Sequence, residues 1–261
     1  MSEPRRHHLV PELHLKRFAT TKGQVRVLHR EDPSRNFVTS LENVPVERDF
    51  YAVETPDGRS QWVEKNLLGQ IETDAAPAIG RLLGKSFPPN DDDRQRISAF
   101  LALQHLRGWD SREQISLIYE HMAKLNAVNI TRAGVRQYCL EVEGRTPTED
   151  EVDQVVAFAS DPERYRIEIH SNELVHGTLR MLPGITNLVY GRKWRLMVFR
   201  RPLLLTSDAP VTTWSSPDAS FPELRNGFGT ADEICVALSR RHALVMTWDA
   251  PLGEVVRFGS D

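Results

Sequence analysis

The sequence predicts an α+β fold: a central helical bundle packed with a mainly antiparallel sheet and fronted by a small β-rich unit. Three observations predict it. Residues 1–59 carry short alternating runs separated by turns, residues 60–190 carry long segments with helical periodicity, and residues 191–261 return to short aliphatic runs rich in β-formers. Strands and helices are thus segregated along the chain rather than alternating, the pattern of α+β and not of α/β proteins. At 261 residues the chain can bury a sizeable core, and it reads as a single domain, 1–261, in those three parts.

VPELHLKRFA predicts a short helix, with Pro11 in the first turn where a missing N–H costs nothing. QVRVLHR, with Val25 and Val27 on one face, FVTSL and DFYAVE predict strands, and TPDG (55–58) predicts a tight turn. Ser60 is the expected N-cap of a helix that buries Trp62, Val63, Leu67, Leu68 and Ile71. Pro77 should kink or break that helix before AIGRLLGK. After the FPPN loop, Asp91–Asp93 supply carboxylates where a helix amino terminus favours them.

The helix that follows Asp91 is expected to be central. SREQISLIYEHMAKLNAV predicts another helix capped by Ser111, and RAGVRQYCLEV a further one. In TPTEDEVDQVVAFA, Thr148 and Glu151 have the spacing of a capping box. NELVHGTLRML is helical from Asn172, with Pro183-Gly184 ending its regular part. KWRLMVFR, LLLTSD, ICVALS and ALVMTWD then read as strands of the sheet.

Composition excludes several classes. The formal charge of -3 carries no net attraction for nucleic acid or acidic lipid, although RRHH and KRF form a modest local basic patch. No run approaches the ~20 apolar residues of a membrane span. The start, MSEPRRHHLVPELHL, lacks the apolar stretch of a secretory signal. Cys139 and Cys235 lie outside any CxxC pair and among aliphatics, which suits buried structural thiols in a reducing compartment; the expectation is a cytoplasmic protein. HExxH, CxxC, GxxxxGKS/T and GxSxG are all absent, so no zinc, haem, nucleotide-cofactor or P-loop signature is present. His105, His121, His170 and His176 show no metal-ligand spacing, and GRKWR and SRRH lack interleaved aromatics.

Four islands in order are similar to the bacterial and fungal family called domain of unknown function 4238. They are HHLVPELHLKRFA; DFYAVE with VEKNLLGQIETDAAPAI; RISAFLALQHLR with its Q-x-x-R pair; and LLLTSDAPV. The first departs from the family pattern, since ELHL puts His14 where an aromatic is usual. The resemblance implies motif positions at His8, Pro11, Glu72, Gln104, Arg107, Ser207, Asp208 and Pro210, and no assigned activity.

The residues themselves suggest where chemistry would lie. In RISAFLALQHLR, Ile97, Phe100, Leu101 and Gln104 share a helical face, with Arg107 on its flank. A buried amide must satisfy a carbonyl and two N–H donors, and a buried guanidinium needs an anion. Gln104 and Arg107 therefore either tie the helix to the front unit or to a carboxylate such as Glu72 or Asp208, or line a pocket for an anionic or amide-bearing ligand. Glu64 and Glu72 lie along one stripe that reads as a solvated face, unless Glu72 turns inward beside Ile71.

Thr206, Ser207 and Asp208 end an expected covered strand. Asp208 is suited to accept from Arg107, orient His8 or hold a metal, against the plainer reading of an Asx-type turn before Pro210. His8 is a solvated terminal residue or, if docked, a general base near neutral pH.

The expected function is a phosphoester hydrolase acting on a nucleic acid or nucleotide. In it His8, Asp208 and Arg107 are catalytic, Gln104, Ser207 and Glu72 hold substrate, and a divalent metal is the candidate cofactor. The alternative is a non-catalytic ligand- or partner-binding module in which the same residues form a clamp or a structural network. The partners expected are nucleic acid or a phosphorylated small molecule, and no membrane.

Overall fold

The computed structural model describes residues 6–44, 46–48, 50–56, 58–84, 86–216, 227–249 and 253–259. Expectations that touch Arg5, Asp49, Asp57 and Lys85, or the side chains of Arg6, His7 and Glu64, lie outside what is described. The fold is α+β, with seven α-helices and a five-stranded sheet among the described residues. Among the described residues no helix is long and apolar enough to cross a membrane. The chain divides into two compact units, residues 1–111 with 175–261, and residues 112–174.

The first unit opens with strand β1 (Arg6–His8), which pairs antiparallel with β4 (Val46–Arg48), His8 opposite Val46. Between them lie helix α1 (Glu12–Leu15) and the hairpin of β2 (Gln24–Leu28) and β3 (Asn36–Ser40). DFYAVE is a strand only at its end: Phe50, Tyr51 and Ala52 are buried in a turn, and β5 covers Val53–Thr55. Strand β5 pairs antiparallel with β6 (Gly58–Ser60), and the Gly58 φ of 114° is one that a side chain would resist.

Ser60 is the last residue of β6 rather than a helix cap, although its hydroxyl accepts from the Trp62 amide at 3.3 Å. Trp62 is exposed, against expectation. A π-helical turn, Val63–Leu68, leads into α2 (Gly69–Leu83). This extra-wide turn shifts the helical phase, which buries Val63 and Leu68 while turning Trp62 out. Pro77 does not break α2: Ala75, Ala78, Ile79 and Leu82 around it are all buried, and that packing outweighs one lost backbone bond.

Helix α3 (Asp91–Leu106) begins as expected, with the Asn90 side chain accepting from the Asp93 amide at 2.8 Å. It is buried nearly all round and packs on α2 and on the sheet through Ile97, Phe100 and Leu101. Helix α4 (Trp109–Ala127) starts in the first unit, where Ser111 donates to the His105 carbonyl. Helices α5 (Arg132–Glu141) and α6 (Glu149–Ala159) belong to the second unit, α6 with the expected Thr148–Glu151 capping box.

Helix α7 (Ser171–Gly191) returns to the first unit and passes straight through Pro183-Gly184, where a stop was expected. Ile185, Leu188 and Val189 beyond the proline pack into the core, and the Thr186 hydroxyl donates to the Leu182 carbonyl.

The sheet has the order β11-β7-β10-β9-β8. Strands β7 (Lys193–Phe199), β10 (His242–Thr247), β9 (Glu233–Ser239) and β8 (Val211–Trp214) are antiparallel, and β11 (Glu254–Phe258) adds parallel to β7. LLLTSD is not a covered strand. Leu203 and Leu205 are 65% and 79% exposed, and the Leu203 and Leu204 amides reach only the Arg240 carbonyl at a turn. Without a neighbouring strand to pair with, an apolar run has no sheet face to cover.

Candidate functional site

Helices α2 and α3 run antiparallel, and two ion pairs mark the ends of their contact. At one end Arg81 grips Asp93 through two hydrogen bonds of 2.8 and 2.5 Å, which hold the Asp93 carboxyl below the usual carboxylate range. At the other end Arg107, the C-cap of α3, donates from Nη1 to Glu72 Oε1. Arg107 is 1% exposed, and its guanidinium lies 5.5 Å from the Tyr51 ring centre. The Tyr51 hydroxyl donates to the Arg107 carbonyl at 2.8 Å, so the front segment is fastened to the end of α3. Glu72 has turned inward, away from the solvated face.

Gln104, one helical turn before Arg107, is 3% exposed. Neither its Oε1 nor its Nε2 has a hydrogen-bond partner among the described residues. The adjacent His105 lies tilted against Phe228 at 4.2 Å between ring centres, and burial pushes its imidazole down to about 4.

His8 donates from Nδ1 to the Val44 carbonyl at 3.2 Å, and its Nε2 lies 3.8 Å from Glu12 Oε1. It is docked by the β1–β4 pairing, but its carboxylate neighbour is Glu12 and not Asp208. Asp208 is exposed, and its carboxylate makes no hydrogen bond or ion pair among the described residues. The turn there belongs to Ser207, whose hydroxyl accepts from the Ala209 amide at 3.2 Å and donates to the Ala209 carbonyl at 2.9 Å. Arg107, Glu72 and, one turn away, Gln104 are therefore brought together, whereas among the described residues neither His8 nor Asp208 is hydrogen-bonded or ion-paired with them or with each other. No group of three or more His, Cys, Asp or Glu side chains among the described residues could hold a metal ion.

Among the buried polar residues that the sequence did not single out, His14 and Arg192 make long-range ties. His14 shares a 3.0 Å hydrogen bond with the Thr206 hydroxyl, tying α1 to the TSD segment; burial first, then Arg17, lowers its imidazole to about 4. Its place on the apolar side of a short helix, where an aromatic is usual, was the available signal. Arg192 is fully buried and donates to the carbonyls of Phe228, Ala231, Asp232 and Met246 at 2.7–3.4 Å, over the Trp248 ring. Period two from Trp194 and Leu196 would have placed Arg192 on the buried face.

No curated protein and no solved structure matches the chain. A family model described as protein of unknown function (DUF4238) matches residues 6–251, which contain all four sequence islands and every residue of this site, and the chain belongs to that family.

Proposed function

We propose that the chain is a ligand-binding module and that the Gln104 carboxamide is the group that recognises the ligand. One observation carries this reading: a side chain only 3% exposed with both hydrogen-bonding atoms unspent. Each such atom costs ~1–3 kcal/mol when left unpaired, a cost that a leucine of similar size would avoid. A carboxamide is complementary to a group offering both a donor and an acceptor, such as another amide or a nucleobase edge. The Arg107 charge is already matched by Glu72, so Arg107 supports the end of α3 rather than competing for the ligand.

The test is thermal unfolding of wild type, Gln104→Leu and Arg107→Ala with nicotinamide, uracil, inorganic phosphate and adenosine monophosphate. An amide-bearing probe should stabilise wild type and not Gln104→Leu, which without ligand should be at least as stable as wild type. Arg107→Ala should melt lower with or without probe, since it empties a sealed site and leaves the mostly buried Glu72 carboxylate without its cation. A destabilised Gln104→Leu, with no probe acting on wild type, would count against the reading.

Phosphoester hydrolysis, on a nucleic acid or nucleotide, is the second reading, favoured by the His14–Thr206 bond. That bond joins α1 to the segment carrying Ser207 and Asp208. Here the base is His8 beside Glu12, and the unpartnered Asp208 carboxylate faces substrate or a divalent cation. Phosphoesterase activity that Asp208→Asn and His8→Ala both abolish, with Gln104→Leu fully active, would select it.

A further inference from the structure

The second unit, residues 112–174, contains a cavity of about 590 Å³ between α5, α6 and the turn that precedes α5. Its apolar walls are Ile130, Val135, Tyr138, Cys139, Pro147 and Val155. It opens beside the small core in which Val135 and Cys139 of α5 meet Val152 of α6. The volume falls within the range of roughly 300–1,000 Å³ seen for small-molecule sites.

The polar groups around this cavity are already spent on one another. Arg145 donates from Nε to Glu143 at 2.7 Å and from Nη1 to both carboxylate oxygens of Glu151 at 3.1 Å. Glu151 also accepts from the Thr148 amide at 2.7 Å, the capping-box bond that fixes the start of α6. The Thr131 hydroxyl accepts from the Gly134 amide, and the Asn129 side chain donates to the Leu125 carbonyl.

A charged ligand would enter a site whose ions already have partners, and it would lose hydration without gaining a counter-ion. An uncharged apolar one loses nothing and covers wall that water now touches, since Ile130, Tyr138 and Val155 are all partly exposed. The exposed Tyr138 makes no side-chain hydrogen bond to a described residue, and its hydroxyl supplies a polar handle.

We propose that this cavity binds an uncharged, largely apolar small molecule, with the Tyr138 hydroxyl as its hydrogen-bonding contact. The site shares no residue with the one around Gln104, and the two proposals stand or fall separately.

The experiment titrates the full chain with Nile red, an uncharged apolar dye, and with the anionic dye anilinonaphthalene sulfonate, reading fluorescence. Nile red should bind saturably and at least about tenfold more tightly than the anionic dye. Val155→Lys puts a charge at the cavity mouth, at a position already 45% exposed, and should weaken Nile red about tenfold or more at an unchanged melting temperature. Leu117→Lys, on the exposed side of α4 outside the cavity, should leave binding unchanged. Should Val155→Lys fold poorly, Tyr138→Lys at another exposed wall position takes its place.

Equal weakening by Leu117→Lys would mean that the dye coats exposed apolar surface, and would overturn the proposal. Equal affinity for both dyes would overturn it as well. So would sedimentation showing a dimer that Val155→Lys dissolves, because the occupant would then be a second copy of the chain.

Discussion

Gln104 and Arg107 lie one turn apart on the same helix, yet their environments differ. Arg107 is sealed but matched by Glu72 and fastened to Tyr51, whereas Gln104 is sealed and unmatched. The sequence placed both on the buried side of α3, and it offered Glu72 as one candidate anion. It could not separate the two fates, because hydrogen-bond partners come from residues 35 or more positions away. His14 and His105 carry a further consequence at this scale. Burial holds each imidazole at about 4, against 6.5 in an open chain. The unfolded chain therefore takes up protons first as the pH falls. Stability should be full above pH 6.5 and decline as the pH drops towards 4, by roughly 3 kcal/mol for each imidazole. Urea unfolding of wild type and His14→Phe across that window checks it. The variant should show the shallower decline, and parallel curves would mean that His14 contributes nothing to it.

Single helices depend on capping contacts from elsewhere in the fold. Arg94 of α3 donates to the carbonyls of Tyr190 and Arg192, and its guanidinium lies over the rings of Tyr190 and Trp194. A cation thus meets the carboxyl end of α7, where unpaired carbonyls and the helix dipole favour it. Arg94→Ala should cost about 2 kcal/mol or more by chemical denaturation. Arg94→Lys should restore less than half of that, since an ammonium lacks the planar fork that reaches two carbonyls. Helices α2 and α7 both continue through a proline that local propensity would read as a break. Conversely, the Leu203–Leu205 run has strand propensity, but Leu203 and Leu205 remain exposed because no described strand pairs with it.

On the scale of the molecule, the two units differ in how much core they hold. The first gathers α2, α3, α7 and the sheet around a large cluster that includes Phe100, Trp194, Ile234 and Met246. The second has a small cluster of three buried residues, Val135, Cys139 and Val152, of which only Val152 is fully sealed. Hydrogen exchange should therefore show α5 and α6 opening at lower free energy than β7 and β10 in the centre of the sheet. Mass-spectrometric exchange of the full chain measures this directly. Equal protection across both regions would show that one cooperative unit spans the chain.

The sequence by itself determined the α+β class, the capping box at Thr148, the centrality of α3 and the family to which the chain belongs. These rest on short-range periodicity and on spacing within one or two turns, and both can be read along a chain. Only the tertiary structure decided that Glu72 is the anion for Arg107, that His14 reaches Thr206, and that Asp208 is left at the surface. It also decided that both helical prolines are tolerated. The reason is the same in each case. A buried charge, an unpaired amide or an interrupted helix is stabilised by whatever packs against it, and those neighbours are set by how distant segments fold together.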